Sequence, residues 1–480
     1  MNRFDKTPRS RKVQPGTGQP SSGVFSTMDN GKLQTNNKQS KSGAISSLYK
    51  FVNETFLPIL IILTVPNFGI LLWNVTEKYG GNFTNMYRAM REKSPVTALW
   101  DMWWSSRLKD GLIPCVVLGY MAFALCLMVI LPGKRLEGPM TVKGNIPVYK
   151  NNGFLCYIVT MVIFVVLTVV LKVHGLTPTV VYDRFDEVML FLNAFSLVFC
   201  LFLYIKGRFW PSSSDSGCTG NFIFDYYWGT ELYPRVFGVD IKVFTNCRFG
   251  LTVWPLLVVL YNLKSYELHG FVNNIFISSV LQIAYITKFF WWEEGYMRTL
   301  DIILDRAGFY ICWGCLVLVP SLYASVSMYM VKHPVHIQPI IAFLLLGCGL
   351  TSIVINYWAD VQKMRTRETR GSCLIWGRKP NIIKARYTLQ SGEEKENLLL
   401  VSGWWGVARH FNYLAELLLA FFWTAPCMTL NFAPYAYLTF LTILLVHRSF
   451  RDDRKCRSKY GRYWTEYCQE VPSRIVPYLI

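Results

Sequence analysis

Residues 337–359 read IQPIIAFLLLGCGLTSIVINYWA, a run of 23 residues without a charged side chain. An α-helix rises about 1.5 Å per residue, so a run of this length can cross the roughly 30 Å hydrocarbon core of a bilayer. The run is followed by Lys363 and Arg367. The stretch therefore predicts a transmembrane helix that ends in a basic, hydrated segment.

Comparable runs recur along the chain, at 54–76, 111–133, 151–171, 188–205, 249–263, 271–287, 307–331 and 417–446. The last run is too long for one crossing and is interrupted by Pro426, Asn431 and Pro434, which predicts a helical hairpin whose first arm begins near Phe411. Of the 480 residues, 52% are hydrophobic and 16% are charged. We predict an all-α polytopic membrane protein, a bundle of about ten transmembrane helices.

The distribution of Lys and Arg predicts the orientation. If the N-terminus lies inside, the inner segments carry 38 of these residues and the outer loops carry 9. Such an excess marks the cytoplasmic side, so we expect both termini in the cytoplasm. The formal net charge of +19 is then mostly a face apposed to anionic headgroups, which by itself is weak evidence for a nucleotide ligand.

Residues 1–50 form the first predicted region. They are rich in Ser, Gly, Gln, Asn, Lys and Arg, which predicts a disordered basic tail before a transmembrane domain at 51–480. The tail lacks the apolar core of a cleavable signal near its start, so the first span is expected to act as a signal anchor. In the first outer loop, Asn74 and Asn82 head N-x-[ST] sequons and are candidate glycosylation acceptors.

Thirteen cysteines are spread over predicted spans and loops, which is not the pattern of a secreted disulfide framework. Cys312 and Cys315 form a C-x-x-C inside a charge-free run, without further ligands at metal spacing. We predict no metal site.

Lys363 and Arg367 are the first candidates for ligand binding. At a spacing of i,i+4 they share one helix face, where two cations can clamp a phosphate. An ordinary basic flank of a transmembrane helix would contain the same residues, so the pair alone does not establish a ligand.

A second basic segment lies at the C-terminus, where HRSFRDDRKCRSKYGRYWTEY (447–467) interleaves cations with Tyr460, Tyr463, Trp464 and Tyr467. A dinucleotide with an additional 2′-phosphate needs such a mixture of phosphate-binding cations and stacking rings. No G-x-G-x-x-G follows a predicted strand, so no Rossmann domain is expected. Nucleic acid would need similar residues but is not expected beside a membrane span.

Two further polar clusters compete for the role of active site. SSSDSGCTGNFIFDYYWGTELYPR (212–235) contains Asp225, Glu231 and Arg235, whereas FFWWEEGYMRTLDIILDRAGFYICW (289–313) contains acidic residues beside Trp and Tyr. Acids at a membrane boundary are costly unless they are paired or hydrated, so their density indicates a polar cavity that enters the bundle. Two amphipathic surface loops remain the alternative.

Several long motifs in order resemble the sterol reductases of the endoplasmic reticulum. The two signature stretches of that family are matched by GNFIFDYYWGTELYPR (220–235) and LLVHRSFRDDRKCRSKYGRYWTEY (444–467). Within the family the chain is most similar to the sterol Δ7-reductases, particularly their plant-like form, as FFWWEEGY (289–296), CLIWGRKP (373–380) and SGWWGVARHFNY (402–413) indicate. The similarity runs from about residue 55 to residue 480.

The resemblance implies NADPH-dependent reduction of the C7–C8 double bond of a Δ5,7-sterol that enters from the bilayer of the endoplasmic reticulum. It also implies association with other enzymes of sterol biosynthesis. The cofactor would be held on the cytoplasmic side by residues from about 360 to 480. The implied contacts are Lys363, Arg367, Leu400, Trp405, Asn412, Tyr413, Asp452, Cys456, Arg457, Ser458, Lys459, Tyr460 and Tyr467.

An unactivated alkene accepts hydride poorly, so a proton donor is also expected, buried enough to stay protonated near neutral pH. The candidates are Tyr413 and Glu416, followed by Glu231 and Asp225, with Arg409 and His410 bracing the site. Many members of the family have Asp at the position of Glu416. Many have His where this chain has Leu304, which excludes a general-acid His at that position.

Three alternatives remain open at this point. Reduction at Δ14 or in the sterol side chain would depend on the shape of the pocket. An enzyme similar to the isoprenylcysteine methyltransferases would bind S-adenosylmethionine with a related Arg-His…Tyr arrangement, although paired phosphate cations favour NADPH. A non-enzymatic scaffold resembling the lamin B receptor would join a basic tail to the same membrane core.

Overall fold

The computed structural model describes residues 47–91, 94–141, 143–388 and 394–479. The chain divides into two compact units, Met1–Asn53 and Glu54–Ile480. Residues 1–46 of the predicted tail lie outside the described residues, and residues 47–53 of the smaller unit are helical.

Helices account for most of the larger unit. Within the described ranges, every predicted charge-free run coincides with a helical segment: α1 (Leu57–Lys78), α2 (Leu112–Ile130), α3 (Gly153–Val173), α4 (Phe185–Phe209), α5 (Ile241–His269), α6 (Asn273–Trp291), α7 (Phe309–Lys332), α8 (Pro339–Glu368), α9 (Phe411–Thr424) and α10 (Ala436–Tyr460). The prediction of an all-α polytopic membrane protein is confirmed.

Seven of these segments in the described chain are long and apolar enough to cross a membrane, and α6, α9 and α10 are not among them. Each exception has a local cause. The interior of α6 contains the buried polar residues Ser278, Ser279 and Gln282, α9 has only 14 residues, and α10 is charged beyond Arg448.

The predicted hairpin between α9 and α10 is present. The chain leaves α9 through a short 3₁₀ turn, Ala425–Cys427, and enters α10 through a second one, Ala433–Tyr435. Pro426 and Pro434 each lie in the first turn of these elements. Backbone N–H groups in a first turn make no hydrogen bond within the helix, so proline, which lacks this group, is tolerated there.

Strands occur only in three two-stranded antiparallel sheets in the described residues. These are β1 (Lys134–Glu137) with β2 (Val148–Asn151), β3 (Arg235–Val236) with β4 (Val239–Asp240), and β5 (Ile382–Thr388) with β6 (Glu394–Leu400). In the last pair, Ile382 lies opposite Leu400, so the hairpin begins and ends beside the chain that leads into α9.

The core contains many aromatic rings at the junction of α5, α7, α9 and α10. The ring of Trp254 lies edge-on to the rings of Tyr323 and Trp423, at centroid distances of 5.2 and 5.7 Å. Residues 244–251 of α5 and 309–323 of α7 are π-helical. Such widened turns often occur at functional sites, and both segments border the cavity described below.

Buried cations fix the segment between α6 and α7. Arg248, 2% exposed, forms an ion pair with Glu293, and its second Nη donates to Asn152 Oδ1 at 3.0 Å. Lys242 Nζ donates to the backbone oxygens of Ile302 and Asp305 at 2.9 and 2.6 Å. Because these buried charges are paired or hydrogen-bonded, they hold residues 293–306 in place instead of destabilising the bundle.

Asn74, one of the two candidate glycosylation sites, is 1% exposed, and its Nδ2 donates to the Ile70 carbonyl inside α1 at 2.9 Å. A side chain buried in a helix is not accessible to a glycosyltransferase, so the expectation for Asn74 is wrong.

Candidate active site

A cavity of about 790 Å³ extends through the bundle. Its walls come from α1, from α5 to α10, and from the segment between α6 and α7. A volume of this size lies within the range of roughly 300–1,000 Å³ that is typical of small-molecule and cofactor sites. Several of the polar residues singled out in the sequence line it.

One wall of the cavity is a face of α8. Asn356, Asp360, Lys363 and Arg367 all line it, at spacings of four, three and four residues. Because these spacings follow the helical repeat, the residues form one stripe that ends at the basic C-terminus of α8.

The facing wall, formed by α10, changes from apolar to charged along its length. The lining residues Phe440, Leu441 and Leu444 are followed by Arg448, Asp452 and Lys455. At about 1.5 Å per residue, the distance from Leu441 to Lys455 along the helix is roughly 21 Å. The cavity therefore has an apolar part and a polar part.

Side chains from distant helices complete the apolar part. Ile61 and Val65 of α1 and Leu318 and Val319 of α7 line it, with aromatic rings from α5 and α10. Such a surface suits a rigid hydrocarbon ligand.

Lys363 lies in the polar part and is held by a ring. Its Nζ is 4.0 Å from the centroid of Trp405, and Trp405 is fixed by a hydrogen bond from Nε1 to the Ala359 carbonyl at 2.7 Å. No carboxylate of a described residue lies within 4.0 Å of Lys363 or of Arg367, so both cations are available to an anionic ligand.

A hydrogen-bonded chain connects α6, α8 and α9 beside these cations. Lys288 Nζ donates to Asn356 Oδ1 at 2.6 Å, and Asn356 Nδ2 donates to the Asn412 carbonyl at 2.9 Å. Asn412 Nδ2 in turn donates to Asp360 Oδ1 at 3.2 Å. Asn412 Oδ1 is buried without a hydrogen-bond partner among the described residues, so it can accept a hydrogen bond from a ligand.

Tyr413 and Glu416 follow on the same face of α9, and both line the cavity. Tyr285 of α6 donates its hydroxyl hydrogen bond to Glu416 Oε1 at 3.0 Å. The ring of Tyr413 lies parallel to the imidazole of His410, with the ring centroids 4.9 Å apart and the planes at 13°. Two of the four predicted proton donors therefore share one surface of the cavity.

Arg409 and His410 fix the start of α9 through their backbones. Their backbone N–H groups donate to the carbonyls of Ser473 and Arg474 at 3.0 and 2.8 Å, which ties the end of the chain to α9. Burial lowers the pKa of His410 to about 4, although Asp452, 3.9 Å from Nε2, acts to raise it. The imidazole is therefore neutral at physiological pH.

The other two predicted donors lie elsewhere. Glu231, 3% exposed, forms an ion pair with Lys206 at 2.8 Å and accepts a hydrogen bond from the Ser212 N–H. Asp225, 2% exposed, accepts backbone N–H bonds from Thr219 and Gly220. Neither lines the cavity, and their partners give each a local structural role.

The predicted nucleotide contacts fall into two groups. Lys363, Arg367, Trp405, Asn412, Tyr413 and Asp452 line the cavity. Leu400 packs with Trp405 and Ile375, whereas Tyr460, Tyr467 and Cys456 pack with the β5–β6 hairpin. Arg457, Ser458 and Lys459 are exposed near the end of α10, outside the cavity lining.

The acidic residues of 289–313 fall into two sets, one that lines the cavity and one that forms buried ion pairs. Glu294 and Asp301 line the cavity, whereas Glu293 and Asp305 are buried in ion pairs with Arg248 and Arg451. The prediction that this cluster borders a polar cavity is therefore correct for part of it.

Sequence reasoning missed several polar residues of the cavity wall. Arg448 pairs with Asp301 there, and Tyr285, Lys288, Asn356 and Asp360 also line it. Two signals were available. A lysine stands near the end of the apolar helix α6, and polar residues recur at helical spacing in the second half of α8.

The chain is similar to known proteins over most of its length. The family described as "Ergosterol biosynthesis ERG4/ERG24 family" matches residues 54–480. The chain is 48% identical over 427 residues to a 7-dehydrocholesterol reductase of Arabidopsis thaliana, covering 88% of this chain and 97% of the relative. It is 34% identical over 396 residues to the protein of that name from Xenopus laevis, covering 80% and 83%. It is 32% identical over 447 residues to a Delta(14)-sterol reductase of Methylotuvimicrobium alcaliphilum, covering 91% and 97%.

Proposed function

Since the chain belongs to the ergosterol biosynthesis ERG4/ERG24 family, we propose that it reduces the C7–C8 double bond of a Δ5,7-sterol with NADPH. The relatives compared above are all named as sterol reductases, so a membrane-spanning sterol reductase is the part of this proposal that they share. The choice of Δ7 is supported by the higher identity to a 7-dehydrocholesterol reductase, 48%, than to the Delta(14)-sterol reductase, 32%.

The polar part of the cavity fits a phosphate-bearing dinucleotide. Lys363 and Arg367 have no anionic partner within 4.0 Å among the described residues, and Lys455 also lines the cavity. Such cations would hold phosphates, while Asn412 Oδ1 would accept a hydrogen bond from a carboxamide. When bound, NADPH supplies the hydride.

The apolar part of the cavity fits a sterol from the bilayer. Ile61, Val65, Leu318 and Phe440 offer aliphatic and aromatic surface. Two of their helices, α1 and α10, also carry exposed apolar side chains on their outer faces. A ligand already dissolved in lipid would not need an aqueous entrance. The family also supports a place in the membrane of the endoplasmic reticulum, with other enzymes of sterol biosynthesis as partners.

Glu416 and Tyr413 are the proposed proton donors. Protonation at one alkene carbon leaves cationic character at the other, which a hydride then quenches, so the donor must face the sterol in a water-poor site. Glu416 faces the cavity, and because Tyr285 donates to Oε1, the proton would reside on Oε2. Tyr413, three residues earlier on the same face of α9, is the alternative donor or its hydrogen-bonding neighbour.

One observation carries this proposal: a single cavity is lined by Lys363 and Arg367 of α8, by Tyr413 and Glu416 of α9, and by apolar side chains of other helices. The test is to incubate membranes that contain the protein with 7-dehydrocholesterol and NADPH, NADH or no nucleotide. Loss of the conjugated-diene absorbance and a gain of two hydrogens by mass, dependent on NADPH, are expected.

An intact diene in a preparation that binds NADPH would refute Δ7 reduction, and a Δ14-unsaturated sterol would then be the next substrate to test. A folded preparation that binds no nucleotide would refute the proposed enzyme and favour the scaffold.

A further inference from the structure

Two exposed turns share an unusual sequence, an aromatic residue followed by glycine. They are Phe237–Gly238, between β3 and β4, and Trp376–Gly377, between the bridged residues Ile375 and Arg378. We propose that the side chains of Phe237 and Trp376, here called the aromatic tips, insert into the interfacial layer of the bilayer and anchor the segment between α4 and α5 and the segment that follows α8 to the lipid surface. This inference does not depend on the proposed reaction.

The backbone at both tips is unfavourable for a large side chain. Phe237 and Trp376 each have a φ of 49°, and the glycines that follow have φ values of 80° and 76°. Two-residue hairpin loops favour positive φ at both positions and usually contain Asn, Asp or Gly there. An aromatic residue at the first position is therefore strained. Because Asn, Asp or Gly would form the turn with less strain, the aromatic side chain points to a function other than forming the turn.

Internal packing does not supply that role for Phe237, and it covers only part of Trp376. Phe237 is 102% exposed, and Trp376 is 54% exposed with Leu374 of the same turn at 71%. Exposed aromatic and aliphatic side chains are favoured where the water–lipid boundary covers them, and aromatic residues are enriched there.

The Phe237 tip is located at the ends of two membrane helices. The Arg235 N–H donates to Ser212 Oγ at 2.8 Å, two residues beyond the exposed Trp210 at the end of α4. On the other side, Asp240 caps the start of α5, since its Oδ1 accepts the Val243 N–H at 3.0 Å. The tip is thus fixed between the C-terminus of α4 and the N-terminus of α5.

The Trp376 tip is connected to a third membrane helix by a row of rings. Trp376 lies edge-on to Trp404, with centroids 5.1 Å apart, and Trp404 stacks on Phe411, the first residue of α9, at 4.7 Å. Arg378 and Lys379 follow the tip and are exposed. Cations beside an apolar tip are the complement of anionic headgroups.

Both tips lie on one side of the bundle. Lys242 at the start of α5 donates to carbonyls just before α7, and His269 at the end of α5 contacts the Val331 carbonyl near the end of α7, so α5 and α7 are parallel. Asn273 at the start of α6 donates to the Ile337 carbonyl just before α8, and Lys288 near the end of α6 donates to Asn356 of α8, so α6 and α8 are parallel as well. Because a short turn reverses the chain between α5 and α6, the end of α8 lies on the same face as the start of α5. The lipid surface is therefore continuous with the exposed end of α4, next to which the Phe237 tip lies, and the row of rings joins the Trp376 tip to the start of α9. This continuity identifies the bilayer, and not a protein partner, as what covers them.

Site-specific photo-cross-linking tests the inference. The full chain, in nanodiscs of phosphatidylcholine and phosphatidylserine, would carry p-benzoylphenylalanine at position 237 or 376, which replaces one aromatic side chain by another. Two matched positions serve as controls. Phe343, 74% exposed on α8, is the lipid-facing control, and Thr388, exposed at the far end of β5 and about 20 Å along the strand from Ile382, is the aqueous control.

Lipid adducts detected by mass at positions 237 and 376, in yields similar to position 343 and well above position 388, are expected. Yields at the level of position 388 would overturn the proposal, and so would cross-links to a second copy of the chain in place of lipid. An adduct at only one position would overturn it for the other tip. If the probe at 376 prevents folding, position 374 in the same turn replaces it, with the same expected result.

Discussion

The hydroxyl of Tyr285 donates a hydrogen bond to Glu416 Oε1 at 3.0 Å. The two residues are 131 positions apart, on α6 and α9, and both face the cavity. This contact occupies one carboxyl oxygen of Glu416 and leaves the other available for the proton transfer proposed above. It thereby orients the acid, and it makes Glu416 the first residue to test.

Glu416→Gln is expected to lower the rate of sterol reduction by about 10²- to 10⁴-fold, because the amide cannot donate a proton as an acid does. Binding of NADPH and sterol should change little, since Gln has nearly the same shape. Single-turnover measurement of cofactor oxidation, together with binding titrations, separates the two effects.

Glu416→Asp is the matched control, because it keeps the acid and should retain a substantial part of the rate. Tyr285→Phe removes only the orienting hydrogen bond and should cost less than Glu416→Gln. A Gln variant with a rate within a few-fold of the native protein would leave Tyr413 as the donor, and Tyr413→Phe would then carry the large loss.

Lys363→Met and Arg367→Met are expected to raise the KM for NADPH by about ten- to hundredfold each, since a hydrogen bond to a charged group contributes roughly 1.5–3 kcal/mol. The KM for the sterol should be nearly unchanged. Steady-state kinetics with each substrate varied in turn gives both values.

Arg365→Met provides the control for the previous pair. Arg365 is an exposed cation on the same helix that does not line the cavity, so its loss should leave the KM for NADPH unchanged. If Arg365 had the same effect as Lys363, a general attraction by the basic face would explain binding, and a specific clamp would be excluded.

The helices and the cation pair could be predicted because both are local patterns. A charge-free run defines a membrane helix by its own length, and Lys363 and Arg367 share a face because they are four residues apart. The partners of the cavity acids could not be predicted in this way. Arg448 and Asp301 are 147 positions apart, and no local periodicity relates them.

The acids assigned as second-rank donors show a related limit of sequence reasoning. Asp225 and Glu231 occur in a dense polar motif, which indicated a cavity, but the structure satisfies them with the Thr219 and Gly220 N–H groups and with Lys206. The amino-acid sequence indicates that an acidic side chain near a membrane needs a partner. It does not distinguish a partner inside the protein from a ligand.

Glu231→Gln is therefore expected to affect stability more than catalysis. Removing one member of a buried ion pair leaves the other charge without compensation, at a cost of about 3–5 kcal/mol, so the melting temperature should fall. The rate per folded molecule should stay close to that of the native protein. The double variant Lys206→Met with Glu231→Leu should recover much of the lost stability. A folded Glu231→Gln protein with a strongly reduced rate would instead support Glu231 as a donor.

His410 should make stability depend on pH between about 4 and 6.5. Burial lowers its pKa from the usual 6.5 to about 4 in the folded protein, so the unfolded chain binds more protons in this range. The free energy of unfolding should therefore fall as the pH is lowered, by up to about 3 kcal/mol at 1.36 kcal/mol per pKa unit. His410→Phe keeps a planar ring against Tyr413 but cannot titrate. Melting temperatures measured from pH 7.5 to 4.5 should decline less steeply for this variant, and equal slopes for the two proteins would show that the buried imidazole does not cause the dependence.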